Sequence, residues 1–160
     1  MNILITGCNG QLGNEMRVLS TQYPQHNYFF SDIVTLPTSE VFVHILDITK
    51  QEEVNAFVQE HHIDLIVNCA AYTQVDKAEE TAMRINAEAV QWLGSTGCKV
   101  IHISTDYVFS GSEHIPCKED DPVAPNTAYG RTKLAGEQKL LEVNPQAIIL
   151  RTAWLYSSFG

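Results

Sequence analysis

Basic residues are scarce in this sequence. Its 160 residues hold 10 Lys and Arg against 19 Asp and Glu, which gives a formal net charge of −9. This balance disfavours nucleic acid as a partner, because a phosphate backbone is neutralised by clustered Lys and Arg. It does not exclude a single nucleotide, which backbone amides can bind.

Clustered cysteines and long apolar runs are missing as well. The four cysteines stand far apart, without C-x-x-C spacing and without a His at ligand spacing, so we predict neither a metal site nor a disulfide framework. Apolar surroundings at Cys69 and Cys98 are typical of buried thiols in an intracellular protein. No apolar run approaches the roughly 18 residues of a membrane span, and the first residues lack the basic region of a signal peptide. We therefore expect a cytoplasmic protein without a membrane partner.

Short apolar runs alternate with helical patterns along the whole chain. The runs predict strands at residues 3–5, 28–30, 41–46, 65–67, 100–103 and 148–150. Thr49 and Glu52 have the spacing of a capping box, and a helix that contains Tyr129 is predicted to reach about Glu142. Continuous apolar strands separated by helices are typical of a parallel sheet covered on both faces. We predict an α/β fold with a doubly wound parallel sheet of the Rossmann type, in one domain over residues 1–160.

Three glycines follow the first predicted strand. Gly7, Gly10 and Gly13 have G-x-x-G-x-x-G spacing, which differs from the usual G-x-G-x-x-G dinucleotide fingerprint. A glycine turn between a strand and a helix lets the backbone approach a pyrophosphate, whose charge is met by the helix N-terminus. The alternative is that these glycines only tighten the connection.

Several strand ends carry residues suited to a nucleotide. Asp32 ends the second strand, where a carboxylate accepts hydrogen bonds from the adenosine ribose and repels a 2′-phosphate, which favours NAD over NADP. Each candidate also has a structural interpretation: an exposed strand end, a turn before a helix, or tight packing. The other candidates, at the ends of the third and fourth strands, are Asp47, Ile48, Ala70, Ala71 and Tyr72.

Hydroxyl and amine groups that suit proton transfer follow the fifth strand. Thr105 ends that strand, where open α/β sheets bind ligands, and its hydroxyl can polarise a substrate carbonyl or cap the next turn. Asp106 beside it has a role either in substrate binding or in the loop. Tyr129 and Lys133 are four residues apart and share a helix face, where an ammonium would favour the phenolate. His102 is expected to be a hydrogen-bonded interior group.

With these motifs the sequence resembles the dTDP-4-dehydrorhamnose reductase group of the extended short-chain dehydrogenase/reductase family. The segments that carry the resemblance are residues 7–13, 68–79, 104–109, 129–137 and 151–154. The resemblance implies reduction of the C4 ketone of dTDP-4-dehydro-L-rhamnose to dTDP-L-rhamnose with NADPH or NADH. It also implies roles for individual residues. Catalysis falls to Thr105, Tyr129 and Lys133, substrate contact to Thr105, Asp106 and Trp154, and cofactor binding to Gly7, Gly10, Gln11, Leu12, Gly13, Asp32, Asp47, Ile48, Ala70, Ala71, Tyr72, Tyr129 and Lys133.

The resemblance carries further expectations and leaves alternatives open. Members of the group accept both NADH and NADPH, some use Mg²⁺, and a homodimer is possible. Such reductases are roughly twice this length, so we expect a cofactor domain truncated before the smaller substrate domain, with little turnover by itself. One alternative is a sugar-nucleotide epimerase or dehydratase. Another is a non-catalytic, cofactor-binding regulatory subunit of the same fold.

Overall fold

The computed structural model describes residues 1–35, 41–73, 79–111 and 116–159. Six parallel strands form one sheet in the order β3-β2-β1-β4-β5-β6. The strands are β1 Asn2–Thr6, β2 Asn27–Asp32, β3 Val43–Ile45, β4 Leu65–Asn68, β5 Lys99–Thr105 and β6 Ile148–Thr152. This order and direction confirm the doubly wound parallel sheet.

Helices connect the strands and cover the sheet. They are α1 Gln11–Ser20, α2 Gln51–Glu60, α3 Glu79–Met83, α4 Ala89–Gly94 and α5 Ala128–Val143, with a π turn at Arg84–Glu88 and a 3₁₀ turn at Asp106–Val108. None of the helices in the described ranges has the length and apolarity that a membrane crossing requires. Residues 74–78, part of one segment that carries the resemblance, lie outside the described residues.

The core lies on both faces of the central strands. Leu4 and Ile66 are fully buried in the larger cluster, together with Leu93 of α4 and Leu140 of α5. Ile5 of β1 faces the other way, into a smaller cluster beneath α1. Adjacent residues of β1 therefore pack on opposite faces, and for this reason its sequence is a continuous apolar run.

The predicted capping box of α2 is wrong. The Thr49 hydroxyl donates to Asp47 Oδ1 at 2.7 Å, and the helix begins at Gln51 with Lys50 at its N-cap. Thr49 instead closes a turn with Asp47, whose Oδ1 also accepts from the Thr49 backbone N–H at 2.9 Å. The spacing matched a cap, but the Asp47 carboxylate holds Thr49 in a turn and the helix begins one residue later than a Thr49 cap requires.

The sheet order fixes where a site can form. β1 and β4 are neighbours, and from them the chain winds toward β3 on one side and toward β6 on the other. In open α/β sheets, ligands bind beyond the carboxyl ends of the strands where the winding reverses. That position is occupied here by the glycine turn after β1 and by the segment after β4.

Candidate active site

The glycine turn packs directly against the segment that follows β4. Gly7 has φ +66°, and a Cβ added to it would lie 2.6 Å from the backbone N and Cα of Ala70. A Cβ added at Gly13 would lie 2.5 Å from Cys8 Cα. Both positions therefore require glycine, one for its backbone conformation and both for space.

A first cleft of about 470 Å³ opens over the carboxyl ends of β1 to β4. It brings together eight of the predicted cofactor-binding residues, from four separate parts of the chain. They are Gly7, Gly10, Asp32, Asp47, Ile48, Ala70, Ala71 and Tyr72. Arg84 of the π turn lines the same cleft and adds a positive charge there that the sequence did not single out.

Two carboxylates in the first cleft are held by short hydrogen bonds. Asp32 Oδ2 accepts from the Asn9 backbone N–H at 2.9 Å, and Asp32 Oδ1 accepts from that of Ile33 at 2.8 Å. Burial alone would raise the pKa of Asp47, but its hydrogen bonds from Thr49, with Lys50 and Arg84 nearby, hold that pKa below its usual value. Asp47 thus remains an acceptor at neutral pH.

A second cleft of about 380 Å³ opens beyond the ends of β5 and β6. It brings together five predicted substrate, catalytic or cofactor residues, which are Gln11, Thr105, Asp106, Tyr129 and Trp154. Gly10 lines the first cleft and Gln11 the second, just as Tyr72 lines the first and Thr73 the second. The two clefts therefore lie on either side of the same two chain segments.

Thr105 and Tyr129 interact within the second cleft. Burial raises the pKa of Tyr129, the charge of Asp106 raises it further, and a hydrogen bond with the Thr105 side chain opposes both effects. The Thr105 hydroxyl donates to Asp106 Oδ1 at 3.1 Å and accepts from the Tyr107 backbone N–H at 3.2 Å, so it also caps the 3₁₀ turn. The structure thus confirms that Thr105 caps the turn. Its role in polarising a substrate carbonyl stays a prediction.

The Lys133 amine contacts strand β5 of the sheet. Lys133 is 1% exposed, and its Nζ donates to the Ile103 backbone oxygen at 2.6 Å and lies 3.3 Å from His102 Nε2. Burial lowers the pKa of Lys133 to about 8. In this structure burial and the charge of Asp106 raise the pKa of Tyr129. The expectation that Lys133 favours the phenolate beside a bound cofactor stays a prediction.

Three predicted site residues are absent from the walls of the two clefts, as far as the described residues show. Leu12 and Gly13 belong to the first turn of α1, and Lys133 is buried beside β5. Trp154 is 88% exposed at the rim, with φ +52°. In the described ranges no group of three or more His, Cys, Asp or Glu side chains is arranged to hold a metal ion.

Two buried polar groups that support the site were missed by sequence reasoning. Asn86 of the π turn accepts from the Tyr72 backbone N–H at 2.8 Å and donates to the Tyr72 oxygen at 3.0 Å, which fixes the end of the first cleft. Glu137 accepts from Ser104 Oγ at 2.5 Å and pairs with Arg151, with Nη2 to Oε2 at 2.7 Å. An Asn on an Ala-rich helix face and a Glu one turn after Lys133 were the available signals.

A profile described as "RmlD substrate binding domain" matches residues 1–160. The chain belongs to the RmlD substrate binding domain family. A crystal structure of a dTDP-4-dehydrorhamnose reductase from Clostridium acetobutylicum matches with a TM-score of 0.86 and 41% identity, over 99% of this chain and 55% of that one.

Other relatives agree with this membership. A reductase of the same name from Bacillus anthracis, solved in complex with NADP, matches with a TM-score of 0.85 and 34% identity, over 99% of this chain and 56% of that one. A probable dTDP-4,6-dihydroxy-2-methyloxan-3-one 4-ketoreductase from Streptomyces antibioticus is 42% identical, over 100% of this chain and 53% of its own length. The chain thus spans about half the length of these relatives.

Proposed function

We propose that this chain is the cofactor-binding part of a reductase that uses NADPH or NADH to reduce the C4 ketone of dTDP-4-dehydro-L-rhamnose. The observation that carries the proposal is the meeting of Thr105, Asp106 and Tyr129 in one cleft beside the glycine turn. The relatives' names support the reaction class, since they are dTDP-4-dehydrorhamnose reductases and a probable 4-ketoreductase of another dTDP-linked compound. A cytoplasmic location and a homodimer stay predictions.

The first cleft fits the adenosine and pyrophosphate half of a nicotinamide dinucleotide. Ala70 fills the space that a Cβ at Gly7 would need, so this position holds glycine. Because Gly7 has no side chain, its backbone is exposed to the cleft. α1 begins at Gln11, directly after Gly10, and its N-terminus stabilises the negative charge of a pyrophosphate. Asp32, at the end of β2, accepts hydrogen bonds from ribose hydroxyls. A dinucleotide that spans both clefts would supply the hydride in the second one.

In the second cleft, Tyr129 is the proton donor. Its raised pKa keeps the phenol protonated at neutral pH, as a general acid requires. A phenol O–H beside the substrate carbonyl stabilises the negative charge that develops on the ketone oxygen and transfers its proton there. The Thr105 hydroxyl, which shares a hydrogen bond with this phenol, orients it and the carbonyl together.

The experiment that tests the proposal follows cofactor absorbance at 340 nm with dTDP-4-dehydrorhamnose as the substrate. It uses a protein that carries this chain together with a C-terminal half of the size found in its relatives. We expect Tyr129→Phe to lower kcat by about 10²- to 10⁴-fold, the usual contribution of a positioned general acid, while the Kd of the cofactor changes little. Tyr23→Phe, on the exposed Tyr23 away from both clefts, is the matched control.

Three outcomes would contradict the proposal. Equal kcat values for Tyr129→Phe and the parent protein would show that Tyr129 is not the proton donor. Turnover of the sugar nucleotide without net consumption of NADPH or NADH would indicate an epimerase or a dehydratase. Cofactor binding without any turnover, in the parent protein and in both variants, would indicate a regulatory subunit.

A further inference from the structure

Arg84 places a guanidinium in the wall of the first cleft. It is the only basic residue among the described residues that line this cleft, whereas Asp32 and Asp47 supply two carboxylates. The Arg84 side chain is exposed, and it makes no hydrogen bond or ion pair with any residue of the described ranges. A guanidinium carries five N–H donors, so this one has its donors available to a ligand in the cleft.

The backbone around Arg84 is fixed relative to the cleft. Arg84 opens the π turn, where the Ala89 backbone N–H donates to the Arg84 oxygen. Asn86 of the same turn holds the Tyr72 backbone through two hydrogen bonds, of 2.8 Å and 3.0 Å. Ile85, the next residue of the turn, lines the cleft as well. The start of the π turn therefore forms one wall of the cleft and presents Arg84 there.

The order of the strands indicates which part of a dinucleotide reaches this wall. β2 lies beside β1 in the sheet, and β3 lies beyond β2. In the proposed function the glycine turn after β1 faces the pyrophosphate, and Asp32 at the end of β2 faces the ribose. The position beyond β3 belongs to Asp47 and Ile48, which line the same cleft. The base of the nucleotide is the part that remains for this position.

Arg84 lies close to Asp47, at the base end of the cleft. Burial would raise the pKa of Asp47, but hydrogen bonds from Thr49 and nearby positive charge, to which Arg84 contributes, lower it. The carboxylate is itself held in place, because Oδ1 accepts two hydrogen bonds from Thr49, at 2.7 Å and 2.9 Å. A fixed negative charge attracts the guanidinium toward this end of the cleft.

Stacking on the base is the contact that suits a guanidinium in this position. The group is planar, delocalised and weakly hydrated, and it packs flat on aromatic rings. Ile48, 5% exposed, and the half-buried Ile85 give the cleft apolar surface beside it. A positive charge over the face of a ring adds an attraction that an apolar side chain cannot provide.

We propose that Arg84 closes the base end of the first cleft by stacking its guanidinium on the adenine, while Asp47 attracts the guanidinium to this position. This inference rests on the proposed function, which places the adenosine half of the cofactor in this cleft. Because NADH and NADPH carry the same adenine, Arg84 strengthens the binding of both. A guanidinium paired with the 2′-phosphate would instead strengthen the binding of NADPH alone.

The first test measures the Kd of NADH and of NADPH by fluorescence titration of the 160-residue chain and of two variants. Arg84→Met removes the charge and the planar group, whereas Arg84→Lys keeps the charge and removes only the planar group. We expect both variants to raise both Kd values by about 5- to 30-fold, the range of a cation–π contact partly shielded from water. Arg131→Met, on an exposed arginine of α5 outside both clefts, is the matched control and should change neither value.

Three results of this titration would overturn the proposal. A rise in the Kd of NADPH alone would assign Arg84 to the 2′-phosphate. Parent-like Kd values for Arg84→Lys, beside raised values for Arg84→Met, would mean that charge acts without stacking. Unchanged Kd values for both variants would mean that the guanidinium does not contact the cofactor.

The second test uses the parent chain and follows the ¹H chemical shifts of the Arg84 Cδ protons, which Arg84→Met identifies. ADP brings the adenine without nicotinamide or a 2′-phosphate, and inorganic pyrophosphate brings the negative charge without a base. Protons above the face of an aromatic ring are shielded, so we expect ADP to move these signals upfield and pyrophosphate to leave them in place. A downfield shift or no shift with ADP, or the same shift with both ligands, would contradict stacking.

A failure of this inference is distinguishable from a failure of the proposed function. If the parent chain binds neither NADH nor ADP, the cofactor proposal is wrong and this inference is wrong with it. If the parent chain binds both cofactors and the two Arg84 variants bind them equally well, only this inference is wrong. Neither test uses turnover, so the absorbance assay reports on the reductase reaction separately.

Discussion

The buried Lys133 amine should make the stability of the chain depend on pH in a defined window. Burial lowers its pKa from 10.5 to about 8 in the folded protein. At 1.36 kcal/mol for each pH unit, the difference corresponds to about 3 kcal/mol. Between pH 8 and pH 10.5 the unfolded chain holds a proton that the folded chain lacks. Stability therefore rises with pH through this window, and below pH 8 the folded state bears the whole cost.

Lys133→Met isolates this effect, because methionine has a similar length and does not titrate. The quantity to measure is the free energy of unfolding in urea, for the parent chain and the variant, at intervals from pH 7 to pH 10.5. We expect the parent value minus the variant value to rise by about 3 kcal/mol over this range. Groups that titrate independently of Lys133 cancel in the difference, and the thiol of Cys69, with a pKa of about 12, titrates above the range.

The matched control is Lys99→Met at the start of β5, where the side chain is exposed. An exposed amine stays hydrated in both states, so this difference should stay within about 0.5 kcal/mol across the range. A difference for Lys133→Met that is flat, or that falls with pH, would refute the reasoning, because the folded protein would then stabilise the ammonium.

Three further predictions concern other parts of the site. Gly7→Ala should lower the free energy of unfolding by about 2 to 5 kcal/mol in urea, because a left-handed φ and a clash with the Ala70 backbone act together. Asp32→Asn should strengthen NADPH binding about tenfold relative to NADH in fluorescence titrations, since it removes a carboxylate that repels the 2′-phosphate. Glu137→Gln should lower the free energy of unfolding by about 2 to 4 kcal/mol, because it leaves Arg151, 23% exposed, without its ion-pair partner.

Each of these has a clear contrary result. An unchanged urea midpoint for Gly7→Ala would mean that the turn relaxes away from Ala70. If Asp32→Asn changed the Kd values of NADPH and NADH equally, the Asp32 carboxylate would not be what repels the 2′-phosphate. For Glu137→Gln, a loss no larger than that caused by Glu53→Gln, in an exposed pair with Lys50, would show that the buried pair contributes little.

The arrangement of strands was predictable from sequence, because the central strands β1 and β4 are buried on both faces. Residues 3–5 and 65–67 are runs of Ile, Leu and Val that lie inside β1 and β4. Turn residues mark their ends, so the eight residues of the first cleft could be chosen from position alone. β3 is shorter than predicted, at Val43–Ile45, because only one of its sides pairs with a strand among the described residues.

The direction of the Lys133 side chain was not predictable. Helical spacing places Tyr129 and Lys133 on one face, but the amine reaches the Ile103 oxygen and His102, which are about 30 residues away in the chain. The π turn around Asn86 was not predictable from the sequence either. Its extra residue depends on contacts of Asn86 with Tyr72 and Thr132. Local patterns specify a residue's face, whereas these partners come from packing.

The central position of β1 has a consequence for folding. Thr6 and Asn68 are 62 residues apart in the chain, yet their side chains lie 2.6 Å apart beside the glycine turn. Contacts between residues so far apart in the chain form late and slowly during folding. The conformational entropy of the long intervening loop is lost before the new contacts compensate for it. A nucleotide that recognises the folded glycine turn would bind only protein molecules in which β1 and β4 have already paired. At a hundred times its Kd it would add about 2.7 kcal/mol to the stability of the whole domain, and so act as a folding ligand.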